Sequence, residues 1–183
     1  MLFRVVATLA TTALALANPL ITRQTTNTNP QIGDVLNKLS ILNREIFFNI
    51  VTMQANNTAT DGTIGVQVQN LITGFNGATS DLLAIPVSAG STTDLPRDID
   101  LSRVLGESLQ ITATGFSGLQ AQQSVPNFSA MIAQLDPAVA ATINALNTTL
   151  PGATGFVHIL MLDVSQFLRD EGAWPETIAA LGF

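Results

Sequence analysis

Residues 135–146 read Leu-Asp-Pro-Ala-Val-Ala-Ala-Thr-Ile-Asn-Ala-Leu, and this stretch sets the fold class. Its apolar residues recur at helical spacing and share one face: Leu135, Val139, Ile143 and Leu146. We predict that the helix begins at Asp136 and Pro137, since an aspartate oxygen accepts a free amide N–H at a helix start and proline suits the first helical position. The turn formers of residues 147–152 should end it. A helix with one apolar face needs partners elsewhere in the chain.

Two longer apolar stripes precede this helix. The first steps by three and four residues and is widened by Phe47 and Phe48; it consists of Ile32, Val35, Leu39, Leu42, Ile46, Ile50 and Met53. The second has the spacing of a coiled-coil seam and consists of Ile64, Val68, Leu71, Phe75, Ala78, Leu82 and Ile85. Both patterns predict long amphipathic helices.

The remaining patterns are also helical. A third helix should begin at Asp98 or Asp100, and a short run over residues 128–135 should lead into the helix described first. Residues 155–170 predict one further helix and residues 174–181 a last short one. Because no stretch alternates with a period of two, the predicted class is all-α, a helical bundle of about five helices.

Composition limits what the chain can do. Its 183 residues suit one domain, and only 11% of them are charged, against an average of about a quarter. The net charge of −6 argues against binding nucleic acid or anionic lipid by charge. The chain has no cysteine, which excludes disulfides and thiolate chemistry.

The N-terminus predicts secretion. Residues 1–17 combine one arginine, an apolar run and a small-residue cleavage site, as in a signal peptide. Asn18-Pro19 interrupts that run before the roughly 20 apolar residues that a transmembrane helix needs. We therefore expect a tail over residues 18–31, a single domain over residues 32–183, and a secreted, extracellular or cell-wall location. Three acceptor sequons suit a secreted glycoprotein: Asn56, Asn127 and Asn147.

The signal peptide, the long first helix and the stretch over residues 135–146 together resemble the fungal hydrophobic-surface-binding protein A and cell-wall galactomannoprotein family. The likeness covers residues 32–183 in organisation and is specific in the alanine-rich stretch. The single lysine, the Phe47-Phe48 pair and the tail after Trp174 depart from the family pattern. The resemblance implies a secreted helical protein that adsorbs to hydrophobic surfaces or holds a lipid between its helices.

The sequence contains few candidate catalytic residues. His158 is the only histidine, so a serine triad or a zinc site would depend on it. The sequence Gly115-Phe116-Ser117-Gly118-Leu119 lacks the second glycine of a nucleophile elbow and lies in a helical pattern. The carboxylate pairs Asp98 with Asp100 and Asp170 with Glu171 lie at predicted helix ends, where capping explains them. We expect no catalytic residue, no metal and no cofactor.

The binding hypothesis rests on aromatic and apolar side chains facing small residues. Gly74 and Gly77 interrupt the seam of the second helix, so we expect them to border a space with Phe75 as its wall. The expected ligand is a fatty acid or other apolar small molecule, or else a hydrophobic surface, and the candidate ligand residues are Phe47, Leu71, Phe75, Ala78, Phe116, Met131, Phe156 and Leu160. The alternative is a structural cell-wall mannoprotein or interaction module without a small-molecule ligand.

Overall fold

The computed structural model describes residues 26–183, and this part of the chain is all-helical. It contains seven helices in the order α1 (Asn29–Ala55), α2 (Asp61–Ala84), α3 (Asp98–Gln122), α4 (Phe128–Thr149), α5 (Ala153–Met161), α6 (Ser165–Glu171) and α7 (Pro175–Leu181). The predicted all-α class is confirmed, with seven helices in residues 26–183 instead of about five. The predicted signal peptide and residues 18–25 of the predicted tail lie outside the described residues.

Four long helices form the body of the bundle. Helix α2 packs against α4 and α1, and α1 also packs against α3. Every seam residue of α2 from Ile64 to Leu82 is buried, as the spacing predicted. Helix α2 begins with a capping box in which Thr60 and Thr63 bond each other's backbone amides. Burying a Leu or Phe side chain contributes about 1.5–3 kcal/mol, so these stripes are the main source of stability.

Helix α1 differs from its prediction at two places. It begins at Asn29, so residues 29–31 are helical, and Thr28 and Asn29 are buried where a tail was expected. Both are held by long-range contacts: the Thr28 N–H donates to Ser88 Oγ at 3.2 Å, and the Asn29 side-chain amide donates to the Pro96 carbonyl at 2.9 Å. Phe48 does not widen the buried stripe, because its place on the helix points outward and leaves its side chain 72% exposed.

The predicted helix start at Asp136 and Pro137 is wrong. Helix α4 runs from Phe128 through Pro137 to Thr149 without interruption. An interior proline loses one helical hydrogen bond, but Ile132 and Leu135 on the preceding turns are fully buried, which favours the continuous helix. Asp136 caps another helix: its two carboxylate oxygens accept the Glu176 N–H at 2.8 Å and the Thr177 N–H at 2.7 Å, at the start of α7.

The single helix predicted over residues 155–170 is two helices, α5 and α6, separated by a turn at residues 162–164. The Ser165 hydroxyl donates to the Leu162 carbonyl at 2.9 Å. Serine hydroxyls compete with the backbone for helical carbonyls, and here the competition occurs at the break. Val157 and Met161 of α5 and Leu168 of α6 are nevertheless buried, so both pieces are anchored in the core.

Buried polar contacts connect the long helices in pairs. Between α1 and α3, the Asn43 side-chain amide donates to the Ser108 carbonyl at 2.7 Å and to Thr112 Oγ1 at 3.2 Å. Between α2 and α4, Thr142 Oγ1 donates to the Phe75 carbonyl at 2.9 Å, and Thr149 Oγ1 donates to the Leu82 carbonyl at 3.0 Å. Neutral side chains make these contacts, as expected for a chain with so few charges.

Candidate functional site

His158, the residue on which a triad or zinc site would depend, has a structural environment. It is half-buried on α5, and its Nδ1 lies 2.8 Å from the Leu181 carbonyl oxygen. The Phe183 ring stacks on its imidazole at 4.4 Å between centroids, and Arg169 lies over the same phenyl ring at 5.5 Å. The histidine therefore contacts the end of the chain, and its hydrogen bond within residues 26–183 goes to a carbonyl and not to a serine or carboxylate.

The paired carboxylates have helix-end roles. Asp98 Oδ1 accepts the Ser91 N–H at 2.7 Å and the Asn29 side-chain amide at 2.8 Å. Asp100 accepts the Arg97 guanidinium through both oxygens at 2.9 Å, and this hydrogen bonding lowers the pKa of Asp100 to about 2. Such a carboxylate stays ionised and is a poor proton donor at neutral pH.

Glu171 is a buried carboxylate with only one of its two oxygens hydrogen-bonded in the described structure. Its side chain is 4% exposed, its Oε2 accepts the Trp174 indole N–H, and its Oε1 has no hydrogen-bond partner. Burial raises the pKa of Glu171 to about 7, although the indole hydrogen bond acts in the opposite direction. Glu171 is the last residue of α6, and its perturbed pKa bears on the stability of the fold.

Two classes of site find no support in the described chain. Residues 26–183 contain no group of three or more His, Cys, Asp or Glu side chains that could hold a metal ion. None of the helices described here combines the length and apolar character needed to cross a bilayer.

Five of the eight candidate ligand residues are buried. Phe47 and Phe116 meet edge to face at 4.9 Å, and Phe116 also lies 5.7 Å from Phe128 and 6.3 Å from Trp174, measured between ring centroids. This aromatic cluster joins α1, α3 and α4. The other buried candidates are on α2, where Leu71, Phe75 and Ala78 face into the bundle.

The other three candidates lie apart from the aromatic cluster. Met131 is half-buried and approaches Gly65, Leu160 is half-buried beside Gly106, and Phe156 points into solvent from α5. The structure thus brings Phe47 and Phe116 together. The eight candidate residues do not line a common pocket in the part of the chain that the structure describes.

The predicted space beside Gly74 and Gly77 is a cleft between α1 and α2. Its volume is about 170 Å³, and Lys38, Gly77, Ala78 and Asp81 are among the residues that line it. A side chain at Gly77 would meet no atom within 4 Å, whereas one at Gly74 would overlap Leu42. Phe75 does not line this α1–α2 cleft, because its ring faces the core.

Two exposed apolar ridges went unrecognised in the sequence. The α1 ridge consists of Ile41, Phe48 and Val51, and the α5 ridge consists of Phe156, Ile159 and Leu162. In each, the members follow one another by one or two helical turns and therefore share an outward face. The sequence signal for the α1 ridge is the helical spacing of Ile41, Phe48 and Val51 outside the main stripe, although the prediction assigned Phe48 to a widening of that stripe.

A larger pocket lies between the first turns of α1, the loop before α3 and the first turns of α3. This α1–α3 groove has a volume of about 480 Å³, and its lining includes Pro30, Asp34, Leu95, Pro96, Asp100 and Val104. It contains none of the candidate ligand residues. Residues 86–96 were predicted only as a loop, and loop composition gives no information about which helices the loop lies against.

The sequons differ in their availability. Asn56 follows the last turn of α1 and is exposed, and no group within residues 26–183 bonds its side-chain amide. The Asn127 side-chain amide donates to Asp61 Oδ2 at 2.7 Å, and Asn147 Oδ1 accepts the Gly152 N–H at 3.1 Å. Asn56 is therefore the sequon best placed for glycosylation.

No protein-family model matches the sequence, and a search of curated proteins gives no match. The class of the molecule therefore rests on its own coordinates: an all-α bundle with exposed apolar ridges and open clefts.

Proposed function

We propose that this chain is a secreted, non-enzymatic protein that adsorbs to hydrophobic surfaces through its exposed apolar ridges. The observation that carries the proposal is the α1 ridge, in which the Phe48 ring is 72% exposed between Ile41 and Val51 on one outward face. Single exposed apolar residues are ordinary, but several large ones on one face indicate an interaction surface. The resemblance to the hydrophobic-surface-binding protein A family supports the same function.

The low charge also favours adsorption. Only 11% of residues are charged, so few ionic groups must be desolvated when the bundle meets an apolar phase. The exposed aliphatic and aromatic carbons gain roughly 25 cal/mol for each Å² removed from water. Adsorption through the ridges needs no rearrangement of the core and no cofactor.

The test is adsorption to alkyl-coated beads at matched protein concentration. A triple variant, Ile41→Thr, Phe48→Ser and Val51→Thr, should adsorb several-fold less than wild type while keeping its helical circular dichroism spectrum, since all three side chains are exposed. The control replaces two exposed apolar residues outside the ridges, Val66→Thr and Leu83→Thr, and should adsorb like wild type. Equal adsorption of the triple variant and wild type would refute the proposal.

Secretion has its own test. If residues 1–17 are removed as a signal peptide, N-terminal sequencing of secreted material begins at Asn18. Deglycosylation should lower its mass, and Asn56→Gln should account for more of that loss than Asn127→Gln. An unprocessed N-terminus with no mass change would contradict an extracellular location.

A second candidate function is the binding of an apolar molecule between the helices, and the α1–α2 cleft favours it. Lys38, the only lysine, lies at this cleft, where its ammonium group would pair with a fatty-acid carboxylate. The volume of about 170 Å³ is below the ~300–1,000 Å³ of most small-molecule pockets, so the cleft would hold part of a chain.

Gly77→Leu tests this candidate, because a side chain there enters open space. The variant should remain folded and lose a fatty acid that native mass spectrometry detects on gently purified wild type. Gly77→Ala, which adds only one methyl group, is the control and should retain it. If purified wild type carries no ligand, a structural cell-wall role without a small molecule becomes the better alternative.

A further inference from the structure

The α1–α3 groove has the construction of a binding site. Leu95 is 76% exposed on one wall, although the loop that carries it is held firmly. The Asn29 side-chain amide donates to the Pro96 carbonyl at 2.9 Å, and Ser88 Oγ donates to Asn29 Oδ1 at 2.7 Å. Asn29 and Ser88 are buried, so these bonds fix the loop against α1 and preform the groove.

The floor of the groove is formed by small and apolar residues. At Gly33 the absence of a side chain leaves room, since an added Cβ would lie 3.4 Å from both Leu101 Cδ2 and Pro96 Cγ. Pro96 and Val104 are half-buried in the lining, and Leu101 lines the groove from the core. The volume of about 480 Å³ is within the ~300–1,000 Å³ typical of small-ligand sites.

The groove lining carries acidic side chains and no basic ones. Of its two carboxylates, Asp100 is paired with Arg97 through two hydrogen bonds of 2.9 Å. Asp34 has no hydrogen-bond or ion-pair partner among the described residues, and the groove lining contains no lysine or arginine. The exposed Asp34 carboxylate therefore stands at the edge of the groove without an ion pair among the described residues, with Lys38 one turn further along α1.

We propose that the α1–α3 groove binds a cationic amphiphile, whose hydrocarbon part lies on Leu95, Pro96 and Val104 and whose ammonium group pairs with the Asp34 carboxylate. A fatty acid would bring its own carboxylate next to Asp34 and be repelled. The inference is independent of adsorption through the ridges, since the groove contains no ridge residue.

The experiment compares three eight-carbon probes on the same isotope-labelled protein at low salt: octylammonium, octanol and octanoate. Amide chemical shifts followed by titration should move at Asn37, Leu95 and Val104, with affinity falling in the order octylammonium, octanol, octanoate. A surface ion pair of this kind is worth about a two- to five-fold difference in affinity. Octanoate binding as tightly as octylammonium, or shifts confined to other regions, would overturn the proposal.

Two variants distinguish the contribution of the Asp34 charge to binding from that of the apolar lining. Asp34→Asn should remove the preference for octylammonium over octanol. Asp163→Asn makes the same change of charge at an exposed position outside the groove and should keep the preference. Leu95→Ser should weaken all three probes together. If Asp34→Asn and Asp163→Asn behave alike, the preference comes from net charge and the assignment to Asp34 is wrong.

Discussion

The four long helices and the three short C-terminal ones are held in different ways. Helices α1–α4 have 22–27 residues each and bury long apolar stripes, whereas α5–α7 have 7–9 residues. Helices that short are not stable alone. The short ones combine a few buried residues, such as Met161 and Leu168, with specific polar contacts, above all Asp136 at the start of α7 and Glu171 with Trp174. The comparison teaches that a repeated apolar pattern specifies the long helices, whereas the short ones need single polar contacts in addition.

The largest loss of stability is expected from a substitution in the long helices α1–α4. Phe75→Ala removes a fully buried ring from the α2 seam and should lower the free energy of unfolding by about 3–5 kcal/mol. Urea denaturation followed by circular dichroism measures it, and the loss should affect the whole chain in one transition. Val66→Ala, an exposed position on the same helix, should change stability by less than about 0.5 kcal/mol.

The next largest loss of stability is expected in the short C-terminal helices α5–α7. Asp136→Ala removes two hydrogen bonds to a buried carboxylate and should destabilise the α7 region by about 2–4 kcal/mol. Hydrogen exchange should show faster exchange at the amides of Ile178 and Ala179 than at those of the α2 seam. Asn144→Ala, at an exposed position of the same helix, is the control. Equal loss of protection in α2 and α7 would show that the two regions unfold as one.

A pH dependence should come from Glu171. Its pKa is about 7 in the folded protein and 4.5 ordinarily, so the folded state binds the proton more tightly. The contribution is therefore complete below pH 4.5 and is lost as the pH rises through about 7, a decrease of about 1–3 kcal/mol. Chemical denaturation at pH 5 and pH 8 measures this decrease, which Glu171→Gln should largely abolish. The same decrease in the variant would assign it to another group.

The smallest expected effect has the opposite sign. Gly77→Ala adds a methyl group that meets nothing within 4 Å and improves helix propensity, so it should raise stability by about 0.5–1 kcal/mol. Gly115→Ala makes the same change on α3, where the new methyl group would overlap the Phe47 ring, and should destabilise. Thermal unfolding of both variants compares them directly, and a destabilised Gly77→Ala would contradict an open α1–α2 cleft.

The sequence predicts the apolar stripe of α2 and the last helix, α7, but not where α4 begins or where α5 ends, for a physical reason. A stripe such as that of α2 is repeated over many turns, so one misread residue does not change the helix. The break at Ser165 and the role of Asp136 each depend on one side chain and on a partner that is close only in space. By local rules, Asp136 with Pro137 favours a helix start. In the fold, the Asp136 carboxylate instead accepts an amide at the start of α7, 40 residues further along the chain.

The candidate site shows the same limit. Aromatic residues at helical spacing identify the core, as Phe75 and Phe116 show, and the same spacing cannot tell that Phe48 points outward. The α1–α3 groove was missed because its walls come from two helices and a loop. The loop residues Leu95 and Pro96 form the wall that completes it.

The threonine contacts between α2 and α4 determine how far one helix can slide along the other. Alanines and leucines make the contact surface smooth, and within residues 26–183 the only ion pairs are Arg44 with Glu107 and Arg97 with Asp100, both elsewhere. Thr142 and Thr149 meet the carbonyls of Phe75 and Leu82, two turns apart on each helix. A shift by one turn, about 5.4 Å, would break both interhelical hydrogen bonds and leave each hydroxyl only the carbonyl four residues back on its own helix. Two neutral hydroxyl groups thus favour one alignment of α2 on α4.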